Sequence, residues 1–368
     1  MPKNESEGKK ILRQAENARL NEQEVQQRRL ILSSLPRYVT IGSHFACNAR
    51  CIFCLGGDYP PFSMKTYREF FEPRLGDVLA CADHVGFCGY GETLLMPDII
   101  EFLDYINGKL PHTRKIFTTN GSPLTDGVIG KLSEGLNAVI ISLHAADAGL
   151  HRRLTGLKNY EFILKAVRKM TDFKKRTGRD LHTNLVFLLT RMNVDNLPDF
   201  VRLGADLGVD RLTCNYITIF NEEQVEMSCF LEKEKTLDRM EEAEKLAAEL
   251  GVTLVLPPKF GKQAGRSSVC QDPWNFCYIE TQGSVLPCCS AGDHIGYLDK
   301  EEFSRIWNGY GYVRLRKGLS AKTPFFWCED CCKYDPNNVN KFISHVTFRP
   351  ETRKKLLAFY ERHSAKKN

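Results

Sequence analysis

The sequence predicts an α/β protein in which a partial (βα)6 TIM-like barrel precedes a small, loop-rich domain. Three observations support this prediction. Short β-rich runs alternate with longer helical patterns between residues 37 and 257. Cysteine, glycine and other chemically distinctive residues follow the ends of the β-rich runs. Beyond residue 257 the pattern changes to short apolar pieces, many turn residues and a second group of cysteines.

Six β-rich runs are the predicted strands of the barrel. They occupy residues 38–44, 84–89, 115–121, 137–145, 181–190 and 210–218. Helical patterns lie between and after them, at residues 67–81, 97–108, 125–134, 159–177, 195–207 and 232–251. Strand–helix units in series predict a parallel sheet with right-handed crossovers. Eight units would close a complete barrel, so six leave a wide, incomplete one; an open doubly wound sheet is the alternative.

The remaining segments flank this barrel. Residues 1–36 form a polar lead-in with a helical pattern, and residues 37–257 form the barrel domain. Residues 257–268 have the composition of a linker, and residues 258–340 form a second domain that is too rich in loops to build a large core. Metal ligation would compensate for that small core. Residues 341–368 form a predicted helical tail.

Composition and charge argue against several classes of partner. The chain is 42% hydrophobic and 26% charged, as is typical of globular proteins. Its net charge of +6 is spread along the sequence, which disfavours nucleic-acid binding. No apolar run reaches the roughly 18 residues of a membrane span, and the first residues lack the apolar core of a signal peptide. We therefore expect a cytoplasmic protein with neither a nucleic-acid nor a membrane partner.

Fourteen cysteines in a chain without a secretory signal indicate metal or redox chemistry rather than disulfides. Cys47, Cys51 and Cys54 lie close together, directly after the first predicted strand. A four-iron cluster and a structural zinc ion each normally take four protein ligands. Three thiolates leave one metal position open, and an open position distinguishes a catalytic metal site from a structural one. The alternatives are a zinc site completed by His44, or thiols that bind no metal.

The C-x3-C-x2-C spacing after the first of several strand–helix units resembles that of the radical S-adenosylmethionine (radical SAM) superfamily, over about residues 36–250. The resemblance implies that Cys47, Cys51 and Cys54 hold a [4Fe–4S] cluster whose fourth iron is chelated by SAM. Reductive cleavage of SAM would yield a 5′-deoxyadenosyl radical that abstracts a hydrogen atom from the substrate. The protein would hold and orient these cofactors.

The same resemblance implies SAM-binding roles for residues near other strand ends. Phe53 occupies the aromatic position that lies near the adenine, and Glu92 of GYGETLL (89–95) would accept a hydrogen bond from the methionine ammonium. Gly89 and Gly91 allow the backbone to approach the cofactor closely. The remaining candidates are Ser142 for the ribose or the carboxylate, Arg153 (with Arg152 as a rival) for the carboxylate, and Asn120.

Seven cysteines between Cys270 and Cys332 form the second group. Two ligands on a hairpin-like unit and a later C-x2-C pair would give four thiolates, which suit a closed iron–sulfur or zinc site. The run of C-x2-PW, PCC, IWNG and C-x2-C resembles the SPASM/twitch extension of radical SAM enzymes, and this resemblance favours iron. It implies one auxiliary [4Fe–4S] cluster held by Cys270, Cys288, Cys328 and Cys331, with Cys277, Cys289 and Cys332 left over.

An auxiliary cluster can accept an electron, and the resemblance to twitch-type enzymes implies an oxidoreductase that dehydrogenates a small sugar-like or cyclitol alcohol. The alternatives are a redox-neutral epimerase with a cysteine hydrogen donor, and an enzyme that matures a peptide or protein. The expected partners are a small-molecule substrate and a flavodoxin- or ferredoxin-type reductant. The side chains predicted to contact the substrate are Asn184, Cys214 and Tyr216 on inward faces of strands, and Cys277. Strand register decides which side these residues face.

Overall fold

The computed structural model of the chain describes most of the sequence between residues 7 and 331. The described residues are 7–43, 46–54, 56, 61–217, 219, 221, 223–260, 270–289, 291, 293–329, 331, 358 and 361–362. Among the helices in this part of the chain, none is long and apolar enough to cross a bilayer.

A single ten-stranded sheet organises the protein. Its strands are β1 (Tyr38–Gly42), β2 (His84–Cys88), β3 (Arg114–Thr119), β4 (Asn137–Ser142), β5 (Leu181–Leu189), β6 (Arg211–Tyr216), β7 (Leu254–Val255), β8 (Phe276–Ile279), β9 (Ser284–Leu286) and β10 (Gly296–Tyr297). The order across the sheet is β10-β9-β8-β1-β2-β3-β4-β5-β6-β7. Strands β1 to β7 are parallel, and β8 joins the other edge of β1, also in parallel. Strands β9 and β10 continue the sheet as antiparallel neighbours.

The helices follow the strands in alternation through the barrel. They are α1 (Glu7–Gln26), α2 (Met64–Thr66), α3 (Glu72–Cys81), α4 (Ile99–Lys109), α5 (Asp126–Glu134), α6 (Ala148–Thr155), α7 (Tyr160–Thr177), α8 (Leu197–Leu207), α9 (Lys233–Leu250), α10 (Asp272–Asn275), α11 (Phe303–Trp307), α12 (Tyr310–Ser320) and α13 (Phe326–Glu329). A π-helical turn, Tyr67–Phe71, joins α2 to α3. Short 3-10 turns occupy Thr93–Leu95, Val194–Asn196, Glu223–Met227 and Cys229–Glu232.

The predicted α/β architecture with a parallel sheet is confirmed. The structure adds a strand, a helix and a strand pairing that the sequence did not predict. A seventh parallel strand, β7, pairs with β6. Helix α6 lies in a segment that the sequence left without a helix. The second domain is joined to the barrel more closely than its loop-rich sequence indicated, because β8 pairs with β1 along four residues. The predicted linker lies outside the described residues beyond residue 260, as does most of the predicted helical tail.

The two faces of the sheet can be told apart by their contacts. Phe87 of β2 packs against Phe102 of α4, with ring centroids 5.2 Å apart. Phe187 of β5 packs against Phe200 of α8 at 4.7 Å. Because successive side chains alternate between faces, the neighbours of Phe87 and Phe187 along each strand point to the opposite face. We call that opposite face the inner face.

Three of the predicted substrate contacts do not lie on the inner face. On β6, Tyr216 donates a hydrogen bond to the Pro258 carbonyl (3.1 Å) and reaches Met240 of α9, so it faces the helices. Cys214 is buried and lies two residues away on the same side. Cys277 of β8 is buried in register with Val39 in the core. Cys214 and Tyr216 thus face the helices and not the barrel interior where the sequence placed them, because a shift of one residue exchanges the two faces of a strand.

The sheet also separates the two cysteine groups. The loop with Cys47, Cys51 and Cys54 follows the carboxyl end of β1. Cys270 precedes β8, which runs parallel to β1, and Cys288 follows β9, which runs back in the opposite direction. Cys270 and Cys288 therefore lie toward the amino end of β1, which spans about 13 Å at 3.3 Å per residue.

Candidate cofactor and iron–sulfur sites

Helix α6 holds the loop that carries the first three cysteines. The Arg50 N–H donates to the Thr155 carbonyl (2.7 Å), and the Ile52 N–H donates to the Leu154 carbonyl (3.0 Å). These carbonyls belong to the last turn of α6, where backbone acceptors have no partner within the helix. Gly156 ends the helix at φ 75°, a conformation that favours glycine. The backbone of the cysteine loop is therefore hydrogen-bonded to the carboxyl end of α6.

The three thiols of this loop form a donor set that suits a metal cluster. Cys47 and Cys54 are exposed, and Cys51 is half-buried. Burial, followed by the like charges of Cys54 and Cys47, raises the pKa of Cys51 to about 12. Metal binding requires deprotonated thiolates and supplies the positive charge that holds them together. The side chain of His44, the alternative zinc ligand, lies outside the described residues.

Glu92 and Asn120 connect the cysteine loop to the neighbouring strand ends. The buried Glu92 carboxylate accepts hydrogen bonds from the backbone N–H groups of Asn120 (2.6 Å) and Leu94 (3.2 Å). Burial raises the pKa of Glu92 to about 7. The Asn120 amide donates to Cys47 Sγ at 3.8 Å and to Asn48 Oδ1 at 2.9 Å. The buried Glu92 carboxylate is therefore linked to the cysteine loop through one intervening residue, Asn120. At this position it can accept hydrogen bonds from a cationic ligand.

An apolar wall stands behind the cysteine loop. Phe53 is 7% exposed and packs in a cluster with Leu150 and Leu154 of α6 and with Ile217. The ring of His144 meets Phe53 edge to face, with centroids 4.8 Å apart. Burial lowers the pKa of His144 to about 3, and its Nδ1 accepts the Leu188 N–H at 3.2 Å. The sequence did not point to this neutral histidine, which follows β4 two residues after Ser142.

The other predicted SAM contacts have different surroundings. Ser142 ends β4 on the inner face, because Ile141 beside it is in the core. Gly91 has φ 117° and precedes Glu92, so a side chain there would strain the turn. Gly89 is exposed at the end of β2. Arg152 and Arg153 are both exposed on α6, and nothing in the described geometry separates the two.

Asn184 is the predicted substrate contact that does lie on the inner face. It is on β5 at the position between Thr183 and Leu185, and Phe187 on the same strand packs against the helices. Its Oδ1 accepts a hydrogen bond from Thr213 on β6 at 3.1 Å. The structure thus places a polar pair inside the barrel.

The second cysteine group surrounds a cavity, which we call the auxiliary cavity. The four predicted ligands, Cys270, Cys288, Cys328 and Cys331, all line it. Leu315 and Leu319 of α12 close one side. Burial, then the like charges of Cys331 and Cys270, raises the pKa of Cys328 to about 12. Four thiols in one apolar cavity again fit a metal group that keeps them deprotonated.

Four thiols that line one cavity are the donor set of a structural zinc ion or of a four-iron cluster. A tetrahedral zinc ion gathers four sulfurs around one centre, whereas the thiolates of a four-iron cluster bind different irons. Of the cysteines left over, Cys277 is in the core and Cys289 is exposed; Cys332 lies outside the described residues.

The fold and the two cysteine sites define an iron–sulfur enzyme built on a partial α/β barrel. Comparison with protein families agrees: residues 43–204 match the radical SAM superfamily, and residues 270–332 match SPASM, an iron–sulfur cluster-binding domain. The chain therefore carries a radical SAM domain and, C-terminal to it, a SPASM domain. Its cofactors are accordingly SAM, the [4Fe–4S] cluster that binds SAM, and auxiliary iron–sulfur clusters in the SPASM domain.

Individual relatives narrow the comparison. A PqqA peptide cyclase from Bradyrhizobium diazoefficiens is 29% identical over 316 residues, which cover 80% of this chain and 79% of that protein. The mycofactocin maturase MftC from Mycolicibacterium smegmatis is 28% identical over 177 residues, or 46% of this chain and 42% of that protein. The crystal structure of Streptococcus suis SuiB bound to S-adenosylmethionine has the same fold, with a TM-score of 0.62 at 14% identity over 90% of this chain and 77% of SuiB.

Proposed function

We propose that this radical SAM enzyme matures a peptide or protein substrate. The observation that carries the proposal is the similarity, along 80% of the chain, to a PqqA peptide cyclase. The partial match to a mycofactocin maturase supports the same class of reaction. The sequence had favoured a small sugar-like or cyclitol alcohol as substrate, and these relatives favour the peptide alternative instead.

Specific residues would hold the cofactors in this reaction. We propose Cys47, Cys51 and Cys54 as ligands of the SAM-binding cluster, and the four cysteines of the auxiliary cavity as ligands of one auxiliary [4Fe–4S] cluster. When bound, the first cluster and SAM supply a carbon-centred radical that removes a hydrogen atom from the substrate. Glu92 would accept the methionine ammonium, because its carboxylate is buried and beside the loop. Phe53, Ser142 and Arg153 remain proposed contacts of the nucleoside and the carboxylate.

Cyclisation suits the separation of the two metal sites. A new bond between two carbon atoms of a peptide removes two hydrogen atoms from it. One leaves as a hydrogen atom, and the other as a proton and an electron, so the reaction needs a one-electron acceptor. Cys270 and Cys288 of the auxiliary cavity lie toward the opposite end of β1 from the cysteine loop, so a cluster held there would accept the electron rather than contact the reacting carbon.

The proposal is tested with reconstituted enzyme, SAM, a reductant and synthetic precursor peptides. We expect 5′-deoxyadenosine formation that depends on the peptide, together with a peptide product lighter by about 2 Da, the mass of the two hydrogen atoms removed. A Cys51→Ala variant is the control and forms neither product. Peptide-dependent cleavage with solvent deuterium incorporated and no change in oxidation state would instead establish epimerisation. Turnover of a cyclitol alcohol with no peptide turnover would overturn the proposal.

A further inference from the structure

A solvent-filled groove runs along the outside of α12, beside the auxiliary cavity. Arg314, Lys317, Phe325 and Trp327 line it, together with Asp293. The groove holds about 1090 Å³ of empty space. We call it the α12 groove. Its position and charge are not explained by the cofactor sites described above.

The α12 groove and the auxiliary cavity lie on either side of α12 and share one lining residue. Trp327 lines both the groove and the cavity. Leu315 and Leu319 face the cavity from one side of α12, whereas Arg314 and Lys317 face the groove from the other. A molecule seated in the groove is therefore separated from the four cysteines by the thickness of one helix and one indole ring.

Basic side chains outnumber acidic ones in the α12 groove, where Arg314 and Lys317 line the wall together with Asp293. Residues 303–328 contain five basic residues and no acidic residue. Arg316 is buried, and the other four, Arg305, Arg314, Lys317 and Lys322, are exposed. The Arg314 guanidinium lies 4.6 Å from the centre of the Phe325 ring, which fixes its charge at the groove. Glu301 and Glu302 precede this segment and Glu329 and Asp330 follow it, so the positive charge is confined to residues 303–328.

We propose that the α12 groove is the docking surface for an acidic one-electron carrier protein that contains a flavin or an iron–sulfur centre. Complementary charge steers such a partner to the surface and orients it there. The carrier takes one electron from the reduced auxiliary cluster, which returns to its oxidised state, while the carrier is reduced by one electron. The inference deepens the proposed function, because it names the protein that removes the electron released by oxidative peptide maturation.

The test uses the holoenzyme without SAM or peptide, so that its outcome does not depend on the substrate. Dithionite-reduced enzyme is mixed with excess oxidised flavodoxin in a stopped-flow instrument, and flavin reduction is followed by absorbance. Freeze-quenched EPR samples identify which cluster is oxidised. The test variant is Arg314→Glu/Lys317→Glu. The matched control, Lys165→Glu/Lys245→Glu, changes the net charge equally at exposed positions on α7 and α9.

We expect the wild-type rate constant to fall about tenfold or more between low and physiological salt. The test variant should be slower by about tenfold to a hundredfold at low salt and nearly insensitive to salt. The control should stay within about twofold of wild type. A second variant, Lys317→Glu/Lys322→Glu, leaves the Arg314–Phe325 contact intact and should show the same slowing if the effect is electrostatic.

Three results would overturn the proposal. The first is a wild-type rate that does not change with salt. The second is equal slowing in the test and control variants. The third is unchanged electron transfer accompanied by loss of precursor-peptide binding, measured by fluorescence anisotropy, which would make the groove a peptide site. Iron content and unfolding temperature are measured for every variant, and a loss of iron in both groove variants would show that these residues support the cluster instead.

Discussion

The contact between α6 and the cysteine loop gives a quantitative prediction for Leu154→Ala. Leu154 is fully buried and packs in the cluster that contains Phe53, while its carbonyl accepts the Ile52 N–H. Replacing a fully buried leucine by alanine costs about 3–5 kcal/mol in free energy of unfolding. Because the lost contacts join α6 to the loop, about 3 kcal/mol of local opening corresponds to roughly a hundredfold larger population of the detached loop. We expect SAM to bind more weakly, by the factor by which the population of the attached loop falls.

The assay compares this variant with Leu132→Ala, which removes the same atoms from a fully buried position on α5, in the main core. Chemical denaturation should show similar losses of stability in the two variants. Calorimetric SAM binding, and the change in the cluster EPR signal on adding SAM, should be impaired only in Leu154→Ala. If both variants lose SAM affinity equally, or if Leu154→Ala unfolds more easily yet binds SAM normally, α6 does not hold the loop as we infer.

Three further substitutions test the electrostatics and the side-chain orientations. Burial raises the pKa of Glu92 to about 7. Since the methionine ammonium needs the ionised carboxylate, SAM affinity should weaken by up to about tenfold per pH unit as the pH falls below 7. The Glu92→Gln variant should bind SAM more weakly and lose this pH dependence, as measured by titration calorimetry. Cys328→Ala should lower the iron content from about eight to about four iron atoms per chain. Cys277→Ala should keep its iron and lower the free energy of unfolding by about 1 kcal/mol. Equal iron loss in the two variants would make Cys277 a ligand. Tyr216→Phe should lose about 1 kcal/mol with its hydrogen bond to Pro258 and leave the rate of SAM cleavage unchanged; a tenfold slower cleavage would contradict its orientation toward α9.

The sequence predicted the barrel well because its periodicity is strong. Each of the six β-rich runs contains or overlaps one of the strands β1 to β6, and each helical pattern contains or overlaps a helix. Helix α6 was missed because its segment, AGLHRRLT, is short and polar, and its stability depends on the contact of Leu150 and Leu154 with Phe53. Tertiary packing of this kind leaves little trace in a local pattern.

The two cysteine groups were predictable for a different reason. Thiolate spacing is a chemical constraint, and together with the resemblance to the SPASM/twitch extension it selected Cys270, Cys288, Cys328 and Cys331, which all line the auxiliary cavity. The orientation of Tyr216 was predicted wrongly although β6 alternates regularly, with polar residues at 211, 213 and 215 and with Leu212, Cys214 and Tyr216 on the opposite face; the polar hydroxyl of a tyrosine also suits a barrel interior. His144 gave no signal either, since its neutrality and its contact with Phe53 arise from burial.

The pairing of β8 with β1 makes the two halves of the chain interdependent. A fragment that ends near residue 257 would leave the outer backbone groups of β1 without partners, and exposed strand edges of this kind recruit other chains. Exchanging the SPASM segment for that of a relative would therefore require the incoming strand to match the register of the old one. Limited proteolysis between the halves should release no separately folded catalytic fragment, because the metal-bearing segment completes the edge from which the barrel is built.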